Sequence, residues 1–136
     1  MKSDRSFWLD IGLLWLRVGA GVGIAYHGHG KIFGGHMDKF IEGVAQMGFP
    51  SPEFFGWAAA LSEFAGGILL AVGLFGRYAA CFIAVTMGVA IFIKHVQDPL
   101  KVKELALAYF VISSALVMMG PGTFSLDGMR KRNAKK

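Results

Sequence analysis

Apolar positions dominate four stretches of the chain, at about 7–31, 54–75, 78–93 and 105–119, and a polar break follows each. Most approach the ~17–25 residues that a helix needs to cross a bilayer. The third and fourth are short, and their flanks extend them to about 78–95 and 104–119. Between the first two, "HMDKFIEGVAQMGFPSPE" sets Met37, Phe40, Ile41, Val44 and Met47 at helical spacing, with Asp38, Lys39, Glu42 and Gln46 elsewhere. That pattern predicts an amphipathic helix of about twelve residues, too short to span, which lies in the outer interface or caps the bundle. Ser51 and Pro52 read as the N-cap and first position of the second span. Gly76 and Arg77 supply a turn that forces spans two and three into a tight antiparallel hairpin. "GPGTFSLDGMRKR" breaks the fourth span at Gly120 and Pro121, and a turn at the inner surface is predicted over 125–129. The predicted fold class is therefore all-α: an integral membrane four-helix antiparallel bundle with a short interfacial amphipathic helix between helices 1 and 2, in one domain over 1–136.

Composition strengthens the membrane reading. Of 136 residues, 54% are hydrophobic and 17% charged, more apolar surface than a soluble domain of this size readily hides. Lys2 and Arg5 precede an apolar run too long for a signal peptide and without a small-x-small cleavage site, so it reads as a retained helix. With both termini inside, eight basic residues (Lys2, Arg5, Arg77, Arg130, Lys131, Arg132, Lys135, Lys136) face five outside (Lys31, Lys39, Lys94, Lys101, Lys103). The expected location is thus a plasma membrane, multi-pass, with cytoplasmic termini. The net charge of +5 gathers in the tail 130–136, "RKRNAKK", which reads as a solvated segment facing anionic lipid and not as a nucleic-acid surface. A single cysteine, Cys81, excludes an intrachain disulfide, a CxxC pair or a thiolate metal cage. Small residues recur within the spans: Gly19 and Gly23; Ser62 and Gly66; Ala80, Ala84 and Gly88. They suit close helix packing, within the chain or between copies.

The candidate chemistry lies in polar groups inside the spans. Arg17 and Glu63 each fall well within an apolar run, where an ionised side chain costs ~2.5–3.5 kcal/mol on the insertion scale. Counting about 1.5 Å per residue from span starts at Phe7 and Pro52 brings them to similar depth, so they are expected to pair, either fixing helix register or relaying protons. An outer tier is expected from His27, Lys31, His95 and Glu104, with Lys94 at the same level; these either act on a ligand or merely snorkel and bond backbone carbonyls. His27 and Lys31 are one-turn neighbours, whereas His27 and His29 differ by about 200° and cannot chelate a metal together on an intact helix. No metal site is predicted. Nucleophile constellations and the Walker spacing are missing from the sequence.

Together, "LRVGAGVGIAYHGHGKIFGG", "MGFPSPE", "LSEFAGGILLAVGLFGRYAA", "IFIKH" and "GPGTFSLD" resemble the DoxX family of small four-helix bacterial membrane proteins, over nearly the whole chain. Arg17, His27, Lys31, Glu63, Arg77 and His95 match its polar pattern, with Gly66, Gly67 and Gly73 in the glycine-rich second span. The resemblance implies a bundle in the bacterial inner membrane. It also implies a link to redox chemistry, since relatives include DoxD-like subunits of thiosulfate:quinone oxidoreductase. On that basis the expected function is that of a membrane subunit in a quinone-linked oxidoreductase system, with quinone as cofactor. His27, Lys31 and Glu63 are the candidate catalytic residues; Arg17, His95, Glu104, Tyr26 and Trp57 are candidate binding residues, and Tyr26, Trp57, Phe92 and Tyr109 could line an apolar slot. The alternative is a noncatalytic scaffold or assembly partner for soluble redox proteins. Solute or proton passage is a third reading, though four helices leave little room for a pore. The partners expected are membrane lipid, a soluble or membrane redox protein and further copies of the chain, with no nucleic acid.

Overall fold

The computed structural model describes residues 4–134. Lys2, Lys135 and Lys136, counted above toward the inner charge, lie outside the described residues. Six helices follow in order: α1 Asp4–Phe33, α2 Met37–Gln46, α3 Pro52–Val72, α4 Gly76–Val89, α5 Leu100–Met119 and α6 Leu126–Asn133. A π-helical segment, Ala90–Lys94, continues α4, and no strand occurs among the described residues. Four of these, Ser6–Phe33, Pro52–Val72, Gly76–Lys94 and Leu100–Met119, are long and apolar enough to cross a membrane. The shortest, 19 residues, spans ~28 Å at 1.5 Å per residue, close to the ~30 Å hydrocarbon core. The protein is a four-helix membrane bundle.

Its surface carries large apolar side chains, among them Trp8, Trp15, Phe82, Val111 and Met118, while Leu13, Ile24, Leu70, Ile83 and Leu116 form a slim core. Such a surface fits lipid as the solvent. Helices α1 and α3 pack as one close pair and α4 and α5 as another, with α1 touching α5 only sparsely.

Glycine sets the α1/α3 register. A Cβ added at Gly21 would sit 2.6 Å from Ala71 N and Gly67 O, and one at Gly67 would sit 2.6 Å from Ala25 N; at Gly28 it would strike the Phe64 backbone. The two backbones therefore touch directly along Gly21, Gly28 and Gly67. The predicted Gly19/Gly23 pair does not make this contact: Gly19 faces open space, and Gly23 makes room for the Tyr109 hydroxyl. Gly66, by contrast, packs on Ile83 of α4.

The amphipathic segment is α2, with Met37 and Val44 buried and Asp38, Lys39, Glu42 and Gln46 exposed. It is pinned where Ile41 lies over Gly56 of α3. Ser51 occupies the α3 cap position in left-handed backbone, φ 49°, and its side chain makes no capping hydrogen bond. The α3–α4 turn comes earlier than Gly76–Arg77. Gly73, at φ 72°, closes α3 as Leu74 N–H donates to Leu69 O (3.0 Å), and Gly76 already begins α4.

Opposite α2, the segment after α5 is more than a turn: it folds back under the bundle. The Asp10 carboxylate accepts from Thr123 N (3.0 Å) and Thr123 Oγ1 (2.6 Å). Asp127 accepts from the N–H groups of Phe75 (3.0 Å) and Gly76 (2.8 Å), capping α4 from a distant part of the chain. Ser125 Oγ accepts from Gly128 N–H (3.0 Å) and caps α6.

Candidate functional site

Lys31, in the last turn of α1, reaches α3 and donates to both carboxylate oxygens of Glu63, at 2.6 and 2.5 Å. The residue Glu63 is 3% exposed. An unpaired acid buried there would be costly, and the two hydrogen bonds from the ammonium offset that cost. The expected Arg17–Glu63 pair does not form. Arg17 lies at the other end, where Nη2 donates to Phe124 O (2.8 Å) beside Gly73. The cause is register: Gly28 opposes Phe64, which brings Lys31 to Glu63, and Arg17, about four helical turns before Lys31, meets the far end of α3. Depth counted from presumed membrane starts missed this offset.

The Phe40 ring of α2 closes over the pair, with Lys31 Nζ 4.3 Å and Lys94 Nζ 5.7 Å from its centroid, within cation–π range. Beneath it opens a cavity of about 480 Å³ between the α1/α3 and α4/α5 pairs. Its polar end holds His27, Lys31, Glu63, Lys94 and His95, and Tyr109 lines it from α5. The remaining wall is largely apolar, with Ile24, Phe55, Phe82, Val85, Met87 and Leu105. One further polar contact lines it, where the Thr86 hydroxyl donates to Phe82 O (2.9 Å) and shares a hydrogen bond with Ser62 (3.1 Å).

His27 faces the Tyr109 ring at 6.2 Å between centroids. His29 points to the other flank, against Phe33 (5.0 Å) and Phe64 (6.0 Å), as the helical phase requires. The π-helical segment re-aims the end of α4 so that Lys94 and His95 reach the cavity; His95 N–H donates five residues back to Ala90 O (2.9 Å). His95 Nδ1 lies 2.6 Å from Asp98 Oδ2, which fixes the ring.

The structure thus gathers four proposed site residues, His27, Lys31, Glu63 and His95, in one cavity and leaves four outside it. Arg17 is at the opposite end. Tyr26, 77% exposed, turns toward lipid because it sits 100° round the helix from His27. Trp57 and Glu104 are also exposed and off the cavity. Phe92 packs outside it on Phe110, so Tyr109 alone of the four suggested aromatics lines the slot. Sequence reasoning missed the role of Phe40, read only as part of an amphipathic face, and the Asp98 brace, whose signal was an acid three residues after His95.

The DoxX family model matches residues 12–96, more than half of the chain. The chain belongs to the DoxX family. The match and the four apolar spans together make it a multi-pass membrane protein. No curated protein and no solved structure matches the chain. The DoxX match covers every polar residue at the cavity end, and only the α5 wall, Leu105, Ala106 and Tyr109, comes from beyond it. Asp10 and the segment it ties down also lie outside the match.

Proposed function

We propose that this DoxX protein is the membrane component of a quinone-linked oxidoreductase system and binds a quinone, or a similar small redox molecule, in the cavity under α2. The observation that carries this reading is an apolar cavity of about 480 Å³ closed at one end by a cluster of hydrogen-bonding groups. Its volume falls within the roughly 300–1,000 Å³ typical of small-molecule sites. An amphipathic ring with carbonyl acceptors and an apolar tail matches that division of surface.

A quinone, when bound, supplies two-electron chemistry that consumes two protons on reduction. The residues of this chain bind, orient and hold protons. Two of the three ammonium protons of Lys31 are committed to Glu63, leaving one N–H for a ligand acceptor. Lys94 adds a second cationic donor at the same end, and His27 an imidazole with a ring nitrogen to hydrogen-bond a ligand. Phe40 and Val44 of α2 line the cavity at this end. The apolar wall includes Phe82 and Val85, which are also outward-facing, so a lipophilic ligand reaches the cavity from the bilayer between α3 and α4. With the basic tail inside, the cavity sits toward the outer face of a bacterial inner membrane.

The test is solvent extraction of the protein purified in mild detergent, followed by titration with a short-chain quinone. Quinone in the extract and saturable binding, weakened about tenfold in His27→Ala, are expected from loss of one hydrogen bond of ~1.4 kcal/mol. An extract free of quinone together with no saturable binding would sink the proposal.

A further inference from the structure

A second concavity, of about 290 Å³, lies at the opposite end of the bundle. Arg77 in the first turn of α4 and Lys131 and Arg132 on α6 line it, together with the Gly120–Pro121–Gly122 backbone. Among the described residues its one acid, Asp127, has both oxygens committed to the N–H groups of Phe75 and Gly76. Arg77 makes a single long hydrogen bond, Nη2 to Met118 O at 3.4 Å, and none of the three cations has an ion pair among the described residues. Three cations therefore converge with most of their donors free, and their mutual repulsion is relieved by an anion.

Depth narrows the chemistry. Gly76 begins one membrane-spanning helix and Met119 ends the next, so the concavity sits at the level of lipid headgroups. Guanidinium and ammonium donors gathered there match phosphate geometry. We propose that this concavity binds a phosphate group, presented by an anionic lipid headgroup or as free phosphate. It is a discrete site that includes Arg77, distinct from diffuse attraction of the basic tail to the membrane. Arg130 provides the contrast, because it lies on the same tail but outside the concavity, its guanidinium 5.9 Å from the Phe75 ring.

Thermal unfolding of the full-length protein in detergent tests the site, with added phosphatidylglycerol, phosphatidylcholine or sodium phosphate at matched ionic strength. Phosphatidylglycerol or sodium phosphate raises the Tm of the parent protein above its value with phosphatidylcholine or sodium chloride. A rise with phosphatidylglycerol alone identifies a lipid source, and a rise with sodium phosphate identifies free phosphate. R77Q halves the shift or more while R130Q keeps it. K131Q/R132Q, confined to exposed turns of α6, does the same as R77Q and stands in if R77Q fails to fold. No shift with either phosphate source overturns the proposal, as does an R130Q variant that loses as much of the shift as the concavity variants.

Discussion

Lys31 and Glu63 form a bidentate ion pair across α1 and α3, both oxygens within 2.6 Å of the ammonium and the carboxylate almost wholly buried. Removing either partner strands the other charge. Lys31→Ala is expected to cost ~3 kcal/mol, the low end of the range for a broken buried pair because the lysine side chain stays 26% exposed. Lys31→Met combined with Glu63→Gln recovers much of that loss. Melting curves in detergent check both, and a double variant no more stable than Lys31→Ala would contradict the pairing argument.

The glycine contacts make a second prediction with an internal control. Gly67→Ala forces a methyl group onto the α1 backbone and is expected to destabilise by about 1–3 kcal/mol, the usual cost of overpacking. Gly19→Ala meets open space and leaves stability unchanged or slightly raised, since Ala favours helix over Gly by roughly 1 kcal/mol. Comparable losses in the two variants would mean that Gly19, through the predicted Gly19/Gly23 pair, carries the helix contact.

These two results mark where sequence reasoning succeeded and where it stopped. The spans were legible because lipid demands long apolar runs, and α2 because its alternation is helical but too short to cross. His27 and Lys31 were legible as one helical face. The partner of Glu63 was not, because it depends on an offset set by Gly21, Gly28 and Gly67, and many glycines in the chain look alike until the helices are docked. Tyr26, Trp57 and Glu104 were assigned to the site by residue type and depth, and neither property says which side of a helix faces the cavity. "GPGTFSLD" read as a turn because its ties, Asp10 to Thr123 and Asp127 to the α4 N-terminus, join residues more than 50 positions apart in the sequence.

Those ties carry the third prediction. Asp127→Ala leaves the Phe75 and Gly76 N–H groups without their acceptor and is expected to cost ~2 kcal/mol. Because Phe75 is held in left-handed backbone at φ 50°, the loss should appear first as faster amide exchange in the α3–α4 turn. Exchange in this turn equal to that of the parent protein would show that Asp127 does not hold it.

The cavity beneath Phe40 is proposed as a ligand site for a small redox molecule from the membrane. Photolabelling with an azido-quinone in bilayer nanodiscs, read by peptide mass spectrometry, tests it most directly. Label is expected on cavity-facing residues such as His27, Thr86 and Tyr109, competed away by excess unlabelled quinone. Label spread over lipid-facing side chains such as Trp15 and Met118, insensitive to competition, would contradict it.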